Sequence, residues 1–208
     1  MTIALLDDFN RSNGAPGSNW GAAISTYSLP DISGNELDWP AFPSAYWAAQ
    51  QFAADQGAQC YLGTIVESQY FLLRLTSPGG GAEVGYVAYG SWGGSTPAEA
   101  WRMTNGIANQ TSLGFANGIM AVTDKWMRAT VEGTSLKLYG GTDGVNWNLR
   151  QTWTDGNITG AGYIGIFNPN NVTPGTIDNF GGGDLNDTAP AGDAGPKVLI
   201  TQANRQVW

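Results

Sequence analysis

The chain has 208 residues, of which nine are basic and seventeen acidic, so that its net charge is −8; it contains one cysteine and no histidine. The acidic balance argues against nucleic acid and anionic membranes as partners, because phosphate binding needs a basic surface. The absence of histidine excludes a Ser-His-Asp arrangement and argues against a zinc site, and Cys60 is expected to be a small buried apolar residue.

The chain opens with MTIALLDDFNR, which has no basic region, and no later apolar run approaches the roughly 20 residues that span a bilayer. We therefore expect synthesis in the cytosol, without a signal peptide and without membrane insertion. Residues 3–10 are predicted to form the first strand. Further short strands, separated by turn residues, are predicted at 20–27, 34–39, 59–65, 69–76, 83–89, 100–104, 110–115 and 118–122.

Two segments between these strands are less regular. Residues 38–47, with the sequence DWPAFPSAYW, are predicted to form a proline-broken aromatic loop. Residues 48–55 admit a helix, although the surrounding pattern favours strand throughout.

The strongest pattern lies at 122–155, where side chains alternate with a period of two over consecutive segments separated by Gly and Asp turns. This pattern predicts antiparallel sheet with one buried and one solvated face. In the last of these segments Trp147, Leu149 and Trp153 are expected to share the buried side. Across the whole chain, the residues expected in the core are Phe9, Met127, Val131, Leu136, Leu138, Ile164, Ile166 and Phe180.

Closing strands are predicted at 163–167 and 176–180, and the composition then changes to the glycine-rich GGGDLNDTAPAGDAGP. We divide the chain into a sandwich domain at 1–184, a linker at 185–196 and a C-terminal tail at 197–208. The tail is predicted to dock on another protein chain, as an added strand or in a pocket. Its apolar residues are Val198, Leu199, Ile200, Val207 and Trp208.

The motifs that carry a family resemblance are DDFNR at 7–11 with GSNW at 17–20, the hairpin at 126–139, and GYIGI at 162–166 with IDNFGGG at 177–183. Over residues 4–184 the chain resembles concanavalin A-like, laminin-G-type jelly-roll domains. The resemblance implies an all-β, two-sheet antiparallel jelly-roll sandwich in which the first and last strands pair, and the change in composition adds an extended C-terminal tail to it. Similar modules occur in bacteriophage virion proteins and in bacterial surface or carbohydrate-active proteins.

Aromatic residues outside the regular alternation are the candidates for glycan or partner binding. Sugar rings stack on Trp and Tyr through their CH faces, yet large aromatics also plug the ends of a sandwich or fill interfaces between chains. The candidates are Trp39, Phe42, Tyr46, Trp47, Tyr89, Trp92 and Trp101.

Paired terminal strands would bring Asp7, Asp8 and Asp178 together, and such hard oxygen ligands suit a structural calcium ion. The alternative is that these aspartates cap turns or bind Arg11. No catalytic residue is predicted. Glucanases on this fold carry the pattern E-x-D-x-x-E, whereas Glu36 and Asp38 are followed by Ala41 at the position of the third carboxylate.

These observations predict a non-enzymatic structural or adsorption protein of a bacteriophage virion, as a capsid decoration or tail-associated component. It would be lectin-like, would contact other virion chains through its C-terminal tail, and would be oligomeric within that assembly. A cell-surface glycan is a further expected partner. The alternatives are a carbohydrate-binding module without an assembly role and a glycan-active hydrolase.

Overall fold

The computed structural model describes residues 3–38, 43–64, 68–92, 97–117, 120–168 and 175–185. All regular structure in these ranges is β-strand, and they contain no helix of the length and apolarity needed to cross a membrane. The strands are β1 (Ala4–Asp7), β2 (Trp20–Gly21), β3 (Asp31–Ser33), β4 (Glu36–Asp38), β5 (Ser44–Trp47), β6 (Gln56–Thr64), β7 (Ser68–Thr76), β8 (Val84–Ser91), β9 (Pro97–Met103), β10 (Gln110–Asn117), β11 (Trp126–Glu132), β12 (Ser135–Gly141), β13 (Asn148–Thr154), β14 (Tyr163–Phe167) and β15 (Thr176–Asp184).

The strands form two antiparallel sheets that pack face to face. The eight-stranded sheet has the order β13-β12-β11-β6-β15-β4-β3, with β1 paired to β15 beside this path. The seven-stranded sheet has the order β10-β9-β8-β7-β14-β5-β2. The first and last strands pair, with Ala4 opposite Gly182 and Asp7 opposite Phe180. The predicted all-β sandwich is therefore confirmed.

The core lies between the two sheets and follows the alternation of the sequence. On β11 and β12, for example, Met127, Val131, Leu136 and Leu138 all point inward and are buried. All eight residues predicted for the core are buried, as is Cys60. Each large apolar side chain buried in this way contributes about 1.5–3 kcal/mol to folding.

The alternation fails on β13. Leu138 lies opposite Gln151 on that strand, but the next residue, Tyr139, lies opposite Leu149, so the register shifts by a β-bulge. An extra residue in one strand moves the later side chains of that strand to the opposite face of the sheet. Trp153 is therefore buried, whereas Leu149 is 55% exposed. Trp147, which precedes β13, is half-buried against Arg128 and is not in the core. The expectation that Trp147, Leu149 and Trp153 share the buried side was therefore wrong.

Four other segments differ from the sequence prediction. Of the strand predicted at 20–27, only Trp20–Gly21 is strand. The segment expected to be a loop contains β5, which starts just after the prolines and pairs with β14 and β2. Residues 48–55 form neither helix nor strand, apart from an isolated bridge between Phe52 and Gly162. In the strand predicted at 118–122, residues 120–122 do not form strand, and 118–119 lie outside the described residues.

The glycines that begin the change in composition are part of β15, which runs to Asp184. Small residues are needed here because the strand passes close to neighbouring side chains. A Cβ on Gly182 would overlap the Ile164 Cδ1 atom, and one on Gly181 would lie 2.8 Å from the Ala4 carbonyl oxygen.

Arg74 is a buried cation that joins several loops at one end of the sandwich, and only 1% of it is exposed. Its Nε donates to the Ala54 carbonyl at 2.6 Å, its Nη2 donates to the Gly133 carbonyl at 2.9 Å, and its Nη1 donates to the Ile158 carbonyl. The Asp55 carboxylate lies 3.5 Å from Nη2. One side chain therefore satisfies carbonyl groups from three separate parts of the chain.

Candidate functional site

Three of the aromatic candidates lie on the outer face of the seven-stranded sheet, away from the core between the sheets. They are Tyr46 on β5, Tyr89 on β8 and Trp101 on β9. They share this face because their inward neighbours, such as Ala45, Ala88 and Ala100, belong to the core. Strand alternation thus collects residues that are far apart in the sequence.

The other candidates are elsewhere. Trp47 points into the core and makes an edge-to-face contact with Trp20 at 5.5 Å between ring centroids. Trp92 packs against the core, and its Nε1 donates to the Asp124 carbonyl at 3.1 Å. Trp39 and Phe42 lie outside the described residues.

The outer face carries a row of directly opposed side chains that crosses six strands. Opposed side chains on one face have Cβ atoms about 4.5–5.5 Å apart, so each contacts the next. In order from β10 to β5, the row consists of Phe115, Glu99, Tyr89, Tyr70, Phe167 and Ser44.

The middle of this row is filled by ring contacts. Tyr70 and Tyr89 stack with centroids 4.5 Å apart, and Tyr27 stacks on Phe167 at 6.1 Å. As a result Tyr89 is only 4% exposed, and little of its ring is left for a ligand. The open part of the row is its β10 end.

We call that end the β9–β10 edge site and define it by Glu99, Trp101 and Phe115. Trp101 is half-buried, Phe115 is 64% exposed, and Glu99 lies directly opposite Phe115. β10 is the outermost strand of its sheet. Two aromatic rings with accessible surface therefore lie beside one carboxylate on one face of the sheet edge.

The local sequence explains this arrangement. A bulge in β10 between Ser112 and Gly114 turns Leu113 towards the core and Phe115 outward. Gly114 adopts a positive φ of 118°, which suits glycine, and its carbonyl accepts a 2.9 Å hydrogen bond from Trp153 Nε1. This bond ties β10 to β13 of the other sheet and fixes the edge.

Trp101 was predicted from the sequence as a binding residue, whereas Glu99 and Phe115 were not. The alternation in PAEAWRM was available and places Glu99 on the same face as Trp101. Nothing in the sequence indicated that the bulge would expose Phe115.

A second group of half-buried aromatics lies on the outer face of the eight-stranded sheet. Arg128 lies over the ring of Trp147 at 4.0 Å, and Tyr61 contacts Trp126 edge to face at 5.5 Å. Burial lowers the pKa of the Arg128 guanidinium to about 10. Its Nη2 donates to Gln59 Oε1 at 2.6 Å. These groups mainly satisfy one another, so this face fits a ligand less well than the edge site does.

The aspartates proposed for calcium each have local partners. Asp7 Oδ1 accepts hydrogen bonds from Phe9 N at 2.8 Å and Arg11 Nη1 at 2.7 Å, and its Oδ2 accepts from Arg11 Nη2 at 2.8 Å and Trp20 Nε1 at 2.7 Å. The Asp178 carboxylate accepts from the backbone and side chain of the next residue. Within the described ranges no group of three His, Cys, Asp or Glu side chains could hold a metal ion. The described aspartates therefore do not fit a calcium site, and Asp7 binds Arg11 instead.

The Asp7 cluster makes stability depend on pH. Burial opposes ionisation of Asp7, but hydrogen bonds from Arg11, Trp20 and Phe9 outweigh it and hold the pKa of the carboxyl below its ordinary value. We expect Asp7→Asn to lower the free energy of unfolding by about 1.5–3 kcal/mol at neutral pH, because a charged acceptor is lost. Asp7 makes its full contribution to the free energy of unfolding above its unfolded-state pKa of about 3.9. That contribution is lost as the pH falls through the lower pKa of the folded state.

The measurement is urea unfolding of wild type and variant between neutral pH and about pH 3, where the difference should shrink. Asp8→Asn is the matched control, since among the described residues Asp8 accepts a single 3.2 Å bond, from Asn10 N, and its effect should stay near or below about 0.5 kcal/mol. A difference between wild type and Asp7→Asn that does not vary with pH would contradict this interpretation.

The two carboxylates of the incomplete E-x-D-x-x-E pattern are not at the edge site. Glu36 and Asp38 are half-buried on β4 of the eight-stranded sheet, whereas Glu99 belongs to the seven-stranded sheet. Ala41, at the position of the missing third carboxylate, lies outside the described residues.

Comparison with solved structures agrees with this architecture. The carbohydrate binding module CBM66 from Bacillus subtilis superposes with a TM-score of 0.55 and 12% identity, covering 82% of this chain and 98% of that one. The exoplasmic/lumenal domain of VIP36, in a Ca²⁺/Man3GlcNAc-bound form, superposes with a TM-score of 0.54 and 11% identity, covering 80% and 84%. The fold is a concanavalin A-like jelly roll.

A β-glucanase from Bacillus licheniformis has the same architecture, with a TM-score of 0.50 and 13% identity, covering 86% of this chain and 96% of that one. No protein-family model matches the sequence, and no curated protein matches it significantly. At these identities the comparisons show the jelly-roll fold alone, and the function has to be argued from the site.

Proposed function

We propose that the chain is a non-enzymatic, lectin-like carbohydrate-binding domain whose glycan contact is the β9–β10 edge site. The observation that carries the proposal is the placement of half-buried Trp101 and exposed Phe115 around the carboxylate of Glu99 on one sheet face. Aromatic rings give a sugar ring an apolar surface to stack on, and a carboxylate accepts hydrogen bonds from hydroxyl groups.

The spacing of the site suits such a ligand. Glu99 and Trp101 are two residues apart on β9, which corresponds to about 6.6 Å along a strand. A sugar ring stacked on Trp101 can therefore present a hydroxyl or other substituent to Glu99. Glycoside hydrolysis needs a pair of carboxyl groups, and the cross-strand neighbours of Glu99, Tyr89 and Phe115, are not acidic. This supports binding without cleavage.

Replacing Trp101 with Ala tests the proposal. Loss of a central aromatic contact typically costs at least 2 kcal/mol, so we expect binding about 30-fold weaker or more. A glycan array with the purified protein would identify a ligand, and isothermal titration calorimetry would then compare the variants. Trp147→Ala is the control, because it removes a half-buried tryptophan that packs on Arg128 of the opposite sheet, and it should leave affinity unchanged. Equal losses in both variants, or no glycan bound by the wild type, would contradict the proposal.

We also propose the role in an assembly that the sequence suggests, as a component of a bacteriophage virion made in the host cytoplasm. Its support is the resemblance in the opening and closing motifs and the apolar residues of 197–208, which lie outside the described residues. The copy number of the chain in purified particles would distinguish a capsid decoration from a tail-associated component. Absence of the chain from such particles would leave a carbohydrate-binding module without an assembly role.

A further inference from the structure

Glu99 is a buried carboxylate that has no partner among the residues that the structure describes. Only 7% of the residue is exposed, and its carboxylate has no hydrogen bond or ion pair with any residue that the structure describes. The other buried acidic residues in those ranges are satisfied. Asp124 pairs with Arg150 at 2.8 Å, and Glu83 accepts hydrogen bonds from Ser25 N at 2.9 Å and Gly81 N at 3.0 Å.

The surroundings of Glu99 are aromatic. Tyr89 lies opposite it on β8, Phe115 lies opposite it on β10, and Trp101 is the next residue on the same face of β9. These rings cover most of the residue and offer its carboxylate no compensating charge, so a cation or several donors that reach the carboxylate would stabilise it. Aromatic faces in turn attract cations through their ring quadrupoles. The group that satisfies both requirements is an ammonium ion.

We propose that the β9–β10 edge site selects glycans that carry a free amino group, whose ammonium pairs with Glu99 while the sugar ring stacks on Trp101. This inference rests on the proposed carbohydrate binding and specifies its ligand class. A neutral sugar can donate hydroxyl hydrogen bonds to Glu99 but cannot compensate its charge. A hydroxyl bond to Glu99 is charge-assisted on one side only, whereas an ammonium bond pairs two opposite charges, so the amino group gives the discrimination. The net charge of −8 also favours the approach of a cationic glycan.

The test compares glucosamine oligomers with N-acetylglucosamine and glucose oligomers of the same length and linkage by isothermal titration calorimetry. Acetylation removes the charge but keeps the sugar ring. We expect the wild type to bind the glucosamine oligomer about tenfold more tightly than either neutral oligomer, as a charged hydrogen bond predicts. Glu99→Gln should abolish this preference, because affinity for the glucosamine oligomer should fall about tenfold more than affinity for the neutral oligomers: the amide still accepts a hydrogen bond but cannot compensate an ammonium charge.

Glu132→Gln is the matched control, because Glu132 is an exposed carboxylate on β11 of the other sheet and should leave the preference intact. The melting temperature of Glu99→Gln should equal or exceed that of the wild type, because an unpaired buried charge is removed. That result would show that its loss of selectivity does not come from unfolding.

The outcomes separate the two proposals. If neutral and glucosamine oligomers bind the wild type equally well through Trp101, the amine inference is overturned and carbohydrate binding stands. An amine preference that persists in Glu99→Gln would also overturn it. If no oligomer and no arrayed glycan binds the wild type, carbohydrate binding itself fails, and the inference fails with it.

Discussion

Replacing Arg74 with Met is expected to lower the free energy of unfolding by about 3–5 kcal/mol, as for loss of one partner from a buried charged network. The carbonyl groups of Ala54, Gly133 and Ile158 would lose their donor, and each unsatisfied buried acceptor costs about 1–3 kcal/mol. Methionine keeps most of the volume of the side chain, so packing changes little. Arg74 has a positive φ of 49°, a strain that Met would share. Urea unfolding followed by circular dichroism would measure the effect.

Lys137→Met provides the comparison. It also replaces a cation with Met, but it removes the exposed ion pair in which Lys137 Nζ lies 3.2 Å from Glu132 Oε2. Exposed pairs contribute about 0–1 kcal/mol, so this variant should stay close to the wild type. Similar losses of stability in both variants would show that the Arg74 network is not a principal source of stability.

Leu138→Ala is expected to lower the free energy of unfolding by about 2–4 kcal/mol, because it removes a fully buried side chain and leaves a cavity. Leu138 lies on β12 between the two sheets, where neighbouring strands limit relaxation around the vacated volume. Thermal and urea unfolding would both report the change.

Leu149→Ala tests the same substitution on the adjacent strand β13, where the bulge places the side chain in solvent. Its effect should be within about 0.5 kcal/mol, as for surface positions in general. Equal effects at Leu138 and Leu149 would mean that the bulge, and the assignment of faces on β13, are wrong.

This pair of leucines also shows how far the sequence predicts the fold. Alternation in the central strands correctly placed Met127, Val131, Leu136 and Leu138 in the core, because a period of two follows directly from strand geometry. The bulge between β12 and β13 adds one residue to one strand only, and its position depends on packing between strands. The alternation therefore gave the wrong face for Leu149.

The site was less predictable than the fold. Tyr46 and Trp47 are adjacent in the sequence, yet they lie on opposite faces of β5, so one is on the outer surface and the other is in the core. The prolines around them favoured a loop, and side chains in a loop do not alternate between two faces. Glu99 is an ordinary residue in a strand pattern, and its lack of a partner becomes visible only when the neighbouring strands are in place.

The position of β15 has a mechanical consequence. This strand is bonded on both sides, to β6 along one edge and to β4 and β1 along the other, and Leu185 N donates to the Asp55 carbonyl at 2.9 Å just after it ends. Tension transmitted from residues beyond 185 acts along the strand axis, so it loads these hydrogen bonds in shear, and many must break together. A domain tethered through its C-terminal residues would thus resist pulling, whereas β13, bonded along one edge to β12, could peel away bond by bond.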